Sequence, residues 1–277
     1  MKIDNTTVAV VTGAASGIGR ALAVRLAAEG AQLAICDVNK PELEETAQLA
    51  LKLAAKPGVK ISTHAVDVSD RERMQSFVGE VLAEHGRAHL VINNAGVGLG
   101  GTVEELSIED YEWLLGVNLW GVIYGTKMFL PVLRQQPRGH IVNISSVFGI
   151  VAPPGHSAYA TSKFAVRGFT ESLRHELKGS NITISSVHPG GIRTNIAHNA
   201  RAGAGADPSV KEREIQFFDK VSKTLPETAA DVIVRGVLND KEKILIGSDA
   251  WMIDKIQRLM PVRYWGFLGK LLEKMAQ

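Results

Sequence analysis

The sequence predicts a doubly wound α/β fold, a parallel sheet of about seven strands flanked by helices on both faces. Three observations predict it. Short β-branched apolar runs alternate with longer helix-patterned segments, those runs are apolar throughout rather than at every second residue, and a glycine-rich turn joins the first run to the first helix. Continuous apolarity suits strands covered on both faces, as parallel sheets are.

Taken in order, the strand candidates are Val8 to Val11, Gln32 to Cys36, Ile61 to Val66, Leu90 to Asn93, His140 to Ile144, Ile182 to Val187 and Lys243 to Ile246. Between them lie helical stretches: Arg20 to Glu29, Pro41 to Ala55, Arg71 to Glu84, Ile108 to Arg134 and Ala158 to Leu177. Strand and helix in regular turn give the crossovers that a parallel sheet requires. No repeat and no Pro-, Gly- or Ser-rich linker divides residues 1–277, so the chain reads as a single domain. At 45% hydrophobic and 22% charged it has the makings of a soluble globular protein with a sizeable core.

Bulk properties exclude several classes. The net charge of +2, with acids and bases mixed along the chain, gives no electrostatic case for nucleic acid. Cys36 is the only cysteine, so an intrachain disulfide and a four-cysteine zinc site are both ruled out. The histidines are scattered; His85 and His89 are four apart, but Gly86 between them belongs to a loop. With no H-E-x-x-H and no G-x-S-x-G, neither a metal site nor a serine-hydrolase elbow is expected. The N-terminus lacks the apolar core of a signal peptide, and no apolar run approaches the ~20 residues that span a bilayer. A cytoplasmic protein is expected.

The first strand runs into "TGAASGIGR", Thr12 to Arg20. Glycines here, at Gly13, Gly17 and Gly19, let the backbone turn tightly and approach a pyrophosphate, whose charge a helix N-terminus favours. Ser16 and Ile18 lie within the same turn. At the end of the second strand stands Asp37, 24 residues after Gly13, where a carboxylate would accept hydrogen bonds from an adenosine ribose. The other reading of Asp37 is a helix cap. A carboxylate there repels a 2′-phosphate, and Ala14, Ala15 and Ser16 offer no cation to receive one. NAD is therefore favoured over NADP.

Six motifs in order, "TGAASGIG" (12–19), "NNAG" (93–96), "VN" (117–118), "SS" (145–146), "YATSK" (159–163) and "PGGIRT" (189–194), resemble the classical short-chain dehydrogenase/reductase family. The resemblance covers about Val8 to Thr194 and implies a Rossmann-type fold and a nicotinamide-dependent oxidoreductase. Helical spacing puts Tyr159 and Lys163 on one face, and a nearby ammonium is expected to lower the phenol pKa toward a useful range. The resemblance makes Tyr159 the acid/base, Lys163 the residue that also holds the nicotinamide ribose, and Ser146, thirteen residues before Tyr159, the substrate-orienting serine. Consecutive strand residues face opposite ways, so Ser145 and Ser146 do not both serve one site if the strand runs through them. Asn118 interrupts an apolar helix; by itself it reads as a satisfied core amide, whereas the resemblance implies a helix distortion and an Asn118–water–Lys163 proton relay. By the same resemblance Asp67 and Val68 flank adenine, Asn94, Ala95 and Gly96 run beneath the adenosine half, and the stretch from Pro189 and Gly190 to Ile192 and Thr194 meets the nicotinamide end.

Two regions leave the pattern. Residues 190–225 resemble the family's variable substrate loop in position; Ile215, Phe217 and Phe218 would cover an apolar substrate, or the segment is merely a flexible excursion. Arg193 and Arg201 there read as solvated or phosphate-facing. The tail, 250–277, carries one apolar set at Trp251, Ile253, Ile256 and Leu259 and another at Phe267, Leu268, Leu271, Leu272 and Met275, with lysines and arginines between. Packing on its own subunit or a partner is favoured over lying in a membrane surface. The expectation is thus an NAD-dependent, cytoplasmic enzyme acting on a small, lipophilic secondary alcohol or ketone. Its long helices 108–134 and 158–177 match those that pair subunits in the family, which implies a homodimer or homotetramer. The competing reading is a dinucleotide-sensing protein of the same fold without turnover.

Overall fold

Every strand candidate read from the sequence lies in one parallel sheet. The computed structural model describes residues 1–54, 57–203, 205 and 208–269. In chain order its elements are β1 (Val8–Thr12), α1 (Gly17–Glu29), β2 (Gln32–Asp37), α2 (Lys40–Lys52), β3 (Ile61–Ala65), α3 (Arg71–His85), β4 (Leu90–Asn93) and β5 (Leu99–Gly100). There follow α4 (Ile108–Leu115), α5 (Gly121–Arg134), β6 (Gly139–Ile144), α6 (Ser157–Glu176), β7 (Ile182–Pro189), β8 (Arg201–Ala202), α7 (Pro208–Val221), α8 (Pro226–Leu238), β9 (Lys243–Ile246) and α9 (Ser248–Leu259). The sheet order is β3-β2-β1-β4-β6-β7-β9, and every neighbouring pair is parallel.

Side chains explain the layers. One face of the sheet is covered by α1, α2 and α8, which bury Leu22, Leu26, Leu43 and Ile233 against Val11, Leu33 and Ile244. On the other face α3, α5 and α6 bury Met74, Phe77, Phe129 and Leu173 against Val10, Val91 and Ile141. Each such side chain contributes about 1.5–3 kcal/mol by leaving water. Local signals set the ends. Asp70 caps α3 by accepting the Arg73 amide, and Gly86 closes that helix in the left-handed region.

The chain order reverses between β1 and β4, so a crevice opens at the carboxyl ends of these two central strands. Ligands of open α/β sheets bind at such a switch point. The loops after β1, β2, β4, β6 and β7 all end there.

The single long helix expected over 108–134 is interrupted. A capping box, Ser107 with Asp110, starts α4, and residues Gly116–Trp120 then form a π-helical turn before α5 begins. Asn118 sits in that turn, fully buried. Its carboxamide accepts the Val97 amide at 2.8 Å and donates to the Val97 carbonyl at 3.0 Å, so the extra residue is spent on turning this side chain inward.

The lid region is more structured than its composition suggests. β8 pairs in parallel with β5, forming a two-stranded sheet that ties residues 201–202 to the loop after β4. Part of this segment, read as a substrate-covering loop or a flexible excursion, is helix α7, and His198 reaches Asp219 on it at 3.1 Å. Arg201 is exposed, and its guanidinium stacks on the Trp113 ring, 3.7 Å from the centroid.

In the tail, α9 turns Ala250 and the partly buried Ile253 and Ile256 inward. Together with Tyr264, Trp265 and the buried Leu268 they pack on Val147, Ile150 and Val151. Tyr264 accepts the Ala152 amide through its hydroxyl at 3.1 Å. Trp251, Leu259 and Phe267 remain exposed. Leu271, Leu272 and Met275 of the second apolar set, like Ala55 of the second helix candidate, lie outside the described residues. Among the described residues no helix is long and apolar enough to cross a membrane.

Candidate active site

The glycine turn after β1 fits the close approach of a pyrophosphate. Gly13 and Gly17 have φ of +65° and +53°, conformations that side chains resist. A Cβ on Gly19 would fall 2.0 Å from the Gly13 carbonyl oxygen, and one on Gly13 would fall 2.6 Å from the Ala95 Cα. These positions are therefore closed to any residue larger than glycine. Ser16 caps α1 in extended conformation with no side-chain capping bond, and the first amides of the helix, at Gly17, Ile18 and Gly19, have no intrahelical acceptors.

Asn94 holds this turn from the neighbouring strand. Its carboxamide donates to the Thr12 and Gly13 carbonyls at 2.8 and 3.0 Å, while its amide and that of Ala95 both donate to the Thr12 hydroxyl at 3.0 Å. Thr12 was not singled out in the sequence, although it opens the motif. Asp37, at the end of β2, accepts the Ala15 and Asn39 amides, one on each carboxylate oxygen. It thus borders the turn. The following residue, Val38, is exposed and apolar. Arg20, beside the turn, is engaged by the Ala15 carbonyl, the Thr46 hydroxyl and Glu42.

Farther along, Val68 is buried and packs close against Gly121, where an added Cβ would meet it at 2.7 Å. Asp67 is exposed, and its carboxylate accepts the Ser69 amide and hydroxyl. At the end of β7, Pro189 is buried; Gly190 lies so near Asp249 that a Cβ would fall 2.1 Å from its carboxylate. Asp249 also accepts the Gly191 amide at 2.7 Å. This aspartate at the start of α9, which no sequence signal marked, fixes the turn. Ile192 is buried, and Thr194 returns to the glycine turn, 3.2 Å from where a Cβ on Gly17 would stand.

The other cluster forms where α6 faces the end of β6. The Tyr159 phenol lies beside the Ser146 hydroxyl, which favours its ionised form. Ser145 turns the other way and donates to the Lys163 carbonyl at 2.8 Å, as expected for consecutive residues. Lys163 is 3% exposed; its ammonium donates to the Ile144 carbonyl at 3.1 Å and lies 5.6 Å from the Tyr159 ring centroid. Asn118 reaches this cluster through Ser162, whose hydroxyl takes the Asn118 amide at 3.3 Å and donates to the Tyr159 carbonyl at 2.7 Å. Gly96 leaves room between Asn118 and Lys163, since a Cβ there would stand 3.2 Å from the Asn118 Oδ1 and 3.5 Å from the Lys163 Nζ. Phe148 meets the Tyr159 ring edge-on at 6.0 Å.

Electrostatically the pair differs from the sequence expectation. Burial pushes the Tyr159 phenol up to about 12, opposed only by the Ser146 hydroxyl beside it, and Lys163 does not lower it. The ammonium lies 5.6 Å from the ring centroid and donates to the Ile144 carbonyl at 3.1 Å. Burial also drives Lys163 down to about 8. His85 and His89, four apart, serve different partners: His85 contacts Ser62 and His89 accepts the Val8 amide.

Comparison with known proteins agrees with this architecture. Residues 7–205 match the family described as short chain dehydrogenase. SadH of Mycobacterium tuberculosis, named as an oxidoreductase, is 42% identical over 260 residues, covering 93% of this chain and 92% of its own. A short chain dehydrogenase/reductase of Burkholderia phymatum, solved in complex with NAD, superposes with a TM-score of 0.84 at 30% identity over 94% of this chain and 95% of its own. An alcohol dehydrogenase of the archaeon Thermococcus sibiricus, complexed with 5-hydroxy-NADP, gives a TM-score of 0.73 at 27% identity over 87% and 95%. Motif order, sheet order and these similarities lead to one conclusion: the chain belongs to the short-chain dehydrogenase/reductase family of oxidoreductases.

Proposed function

We propose that this protein interconverts a secondary alcohol and a ketone with NAD, using Tyr159 as acid and base. The observation that carries the reading is the proximity of the Tyr159 phenol and the Ser146 hydroxyl where α6 faces the end of β6. Two hydroxyls that meet there can both reach one substrate oxygen. The dinucleotide, when bound, supplies or accepts the hydride. Tyr159 gives its proton to the carbonyl oxygen in reduction and recovers it in oxidation. Ser146 orients that oxygen. Lys163, still largely cationic at neutral pH, holds the nicotinamide ribose. Proton resupply runs from Lys163 through water to Asn118, across the gap that Gly96 leaves.

For the cofactor, Gly13, Ser16, Gly17, Ile18 and Gly19 would cradle the pyrophosphate, with Asp37 on the adenosine ribose and Asp67 and Val68 at adenine. Asn94, Ala95 and Gly96 would underlie the adenosine half, and Pro189, Gly190, Ile192 and Thr194 would meet the nicotinamide end. Asp37 followed by the apolar Val38 supports NAD, because a 2′-phosphate finds a carboxylate and no free cation. The two structural relatives, one with NAD and one with an NADP analogue, are consistent with either dinucleotide in the family. Phe148, Val147 and the partly buried Ile215, Phe217 and Phe218 of the lid support a lipophilic substrate. We place the enzyme in the cytoplasm as a homo-oligomer paired through α5 and α6. A sensor without turnover has no use for the Tyr159–Ser146 pair. Reduction of NAD and of NADP across a panel of alcohols tests the reading: NAD reduction with secondary, apolar alcohols supports it, and a faster reaction with NADP refutes the cofactor assignment.

A further inference from the structure

The sheet ladder between β6 and β7 runs out one residue before the substrate-orienting serine. Its last bond in this direction takes the Ser145 amide to the Val187 carbonyl at 2.8 Å. The next residue of β7, His188, then continues the contact with its side chain: Nδ1 lies 3.0 Å from the Ser146 carbonyl oxygen. A carbonyl only accepts, so Nδ1 carries the proton. His188 is fully buried, and burial drives it down to about 4, so the ring is neutral near pH 7. Its Nε2 is then an acceptor, and it takes the hydroxyl of Ser186 at 2.9 Å. The direction of every bond in the chain Ser186 to His188 to Ser146 is thereby fixed.

The consequence falls on the serine. Ser146 stands in extended conformation where the chain leaves the sheet, and its Oγ already accepts the Phe148 amide at 3.1 Å. Its carbonyl is held by His188 on one side and by the Gly149 amide, at 3.0 Å, on the other. We infer that His188 is a positioning residue: by holding the Ser146 main chain it aims the Ser146 hydroxyl at Tyr159 and at the reacting oxygen. This rests on the role proposed above for Ser146.

The test is steady-state kinetics of the full chain with saturating NAD and the best alcohol of the panel, on variants first checked for folding by circular dichroism and thermal unfolding. Replacing His188 by Leu removes the donor and is expected to lower kcat by about 10–100-fold, with KM and NAD affinity changed less than about threefold. His188→Asn restores an N–H at the position of Nδ1 and is expected to recover activity to within about threefold of wild type. His188→Gln, whose amide lies one carbon farther out, is expected to stay low. In a Ser146→Ala background, His188→Leu is expected to cost less than about twofold more. The inference is overturned by wild-type activity in His188→Leu, by an equal fall in both backgrounds, or by a folded His188→Asn as poor as the leucine variant. Loss in Ser146→Ala with no loss in His188→Leu overturns this inference alone. Wild-type activity in Ser146→Ala overturns the serine's role and this inference together.

Discussion

Loss of water disfavours the charged form of each group, so the Tyr159 phenol is pushed up and the Lys163 ammonium down. Spacing alone suggested that the lysine lowers the tyrosine. The side chains show why it does not: the ammonium is turned toward the Ile144 carbonyl and the ring face. Of the protein's own groups, Ser146 is the one that favours the phenolate. Ser146→Ala should therefore shift the rising limb of the pH–rate profile for alcohol oxidation to higher pH, by roughly half a unit to one unit, about the value of one neutral hydrogen bond. An unmoved limb contradicts that assignment. Gly19 makes a second residue-scale case. Its absent side chain leaves 2.0 Å between a would-be Cβ and the Gly13 carbonyl, so Gly19→Ala should cost about 1–3 kcal/mol of stability and weaken dinucleotide binding. Thermal unfolding and NADH fluorescence titration measure both.

At the scale of elements, the seven strands were legible because burial on both faces keeps β1 and β4 mostly apolar and puts Ile141, Val142 and Ile144 in β6. What the sequence hid was long-range. Asp249 meets Gly191 across 58 positions, and no local pattern announces such a contact. The π turn at Gly116–Trp120 is invisible to periodicity, since its apolar residues continue the pattern of α4 and α5; only the family resemblance pointed to a distortion there. His188 went unnoticed because its partner is a main-chain carbonyl. The tail divides along the same line: its apolar periodicity was readable, its docking site beside the loop after Ser146 was not. Leu268→Ala should cost about 2 kcal/mol, near the low end for a buried leucine, measured by denaturant unfolding. A chain ended at Ala250 should lose stability while co-sedimentation with liposomes stays unchanged. Loss of liposome binding with the fold intact would contradict the packing account of the tail.

For the whole molecule, two histidines buried in neighbouring strands set an acid limit. His140 and His188 are fully buried, accept or donate hydrogen bonds to Ser185 and Ser186, and are driven by burial to about 3 and about 4. Unfolded, they titrate near 6.5. The unfolded state thus binds more protons below that value, and the stability these groups contribute is complete above about pH 6.5 and declines as pH falls toward 4. Between pH 7.5 and pH 5 the loss should be about 2 kcal/mol for each, visible as a lower denaturant midpoint; a midpoint unchanged over that range contradicts it. His188 contacts Ser146 while His140 lies at the opposite end of β6, so acid should weaken the Ser146 end of the sheet through His188 and the core through both. The central claim remains chemical, that Tyr159 moves the proton at the end of β6. Its most direct test is the rate of NAD reduction by Tyr159→Phe with the best alcohol of the panel. The account predicts a fall in kcat of about 100-fold or more with NADH binding preserved. A near wild-type rate would contradict it.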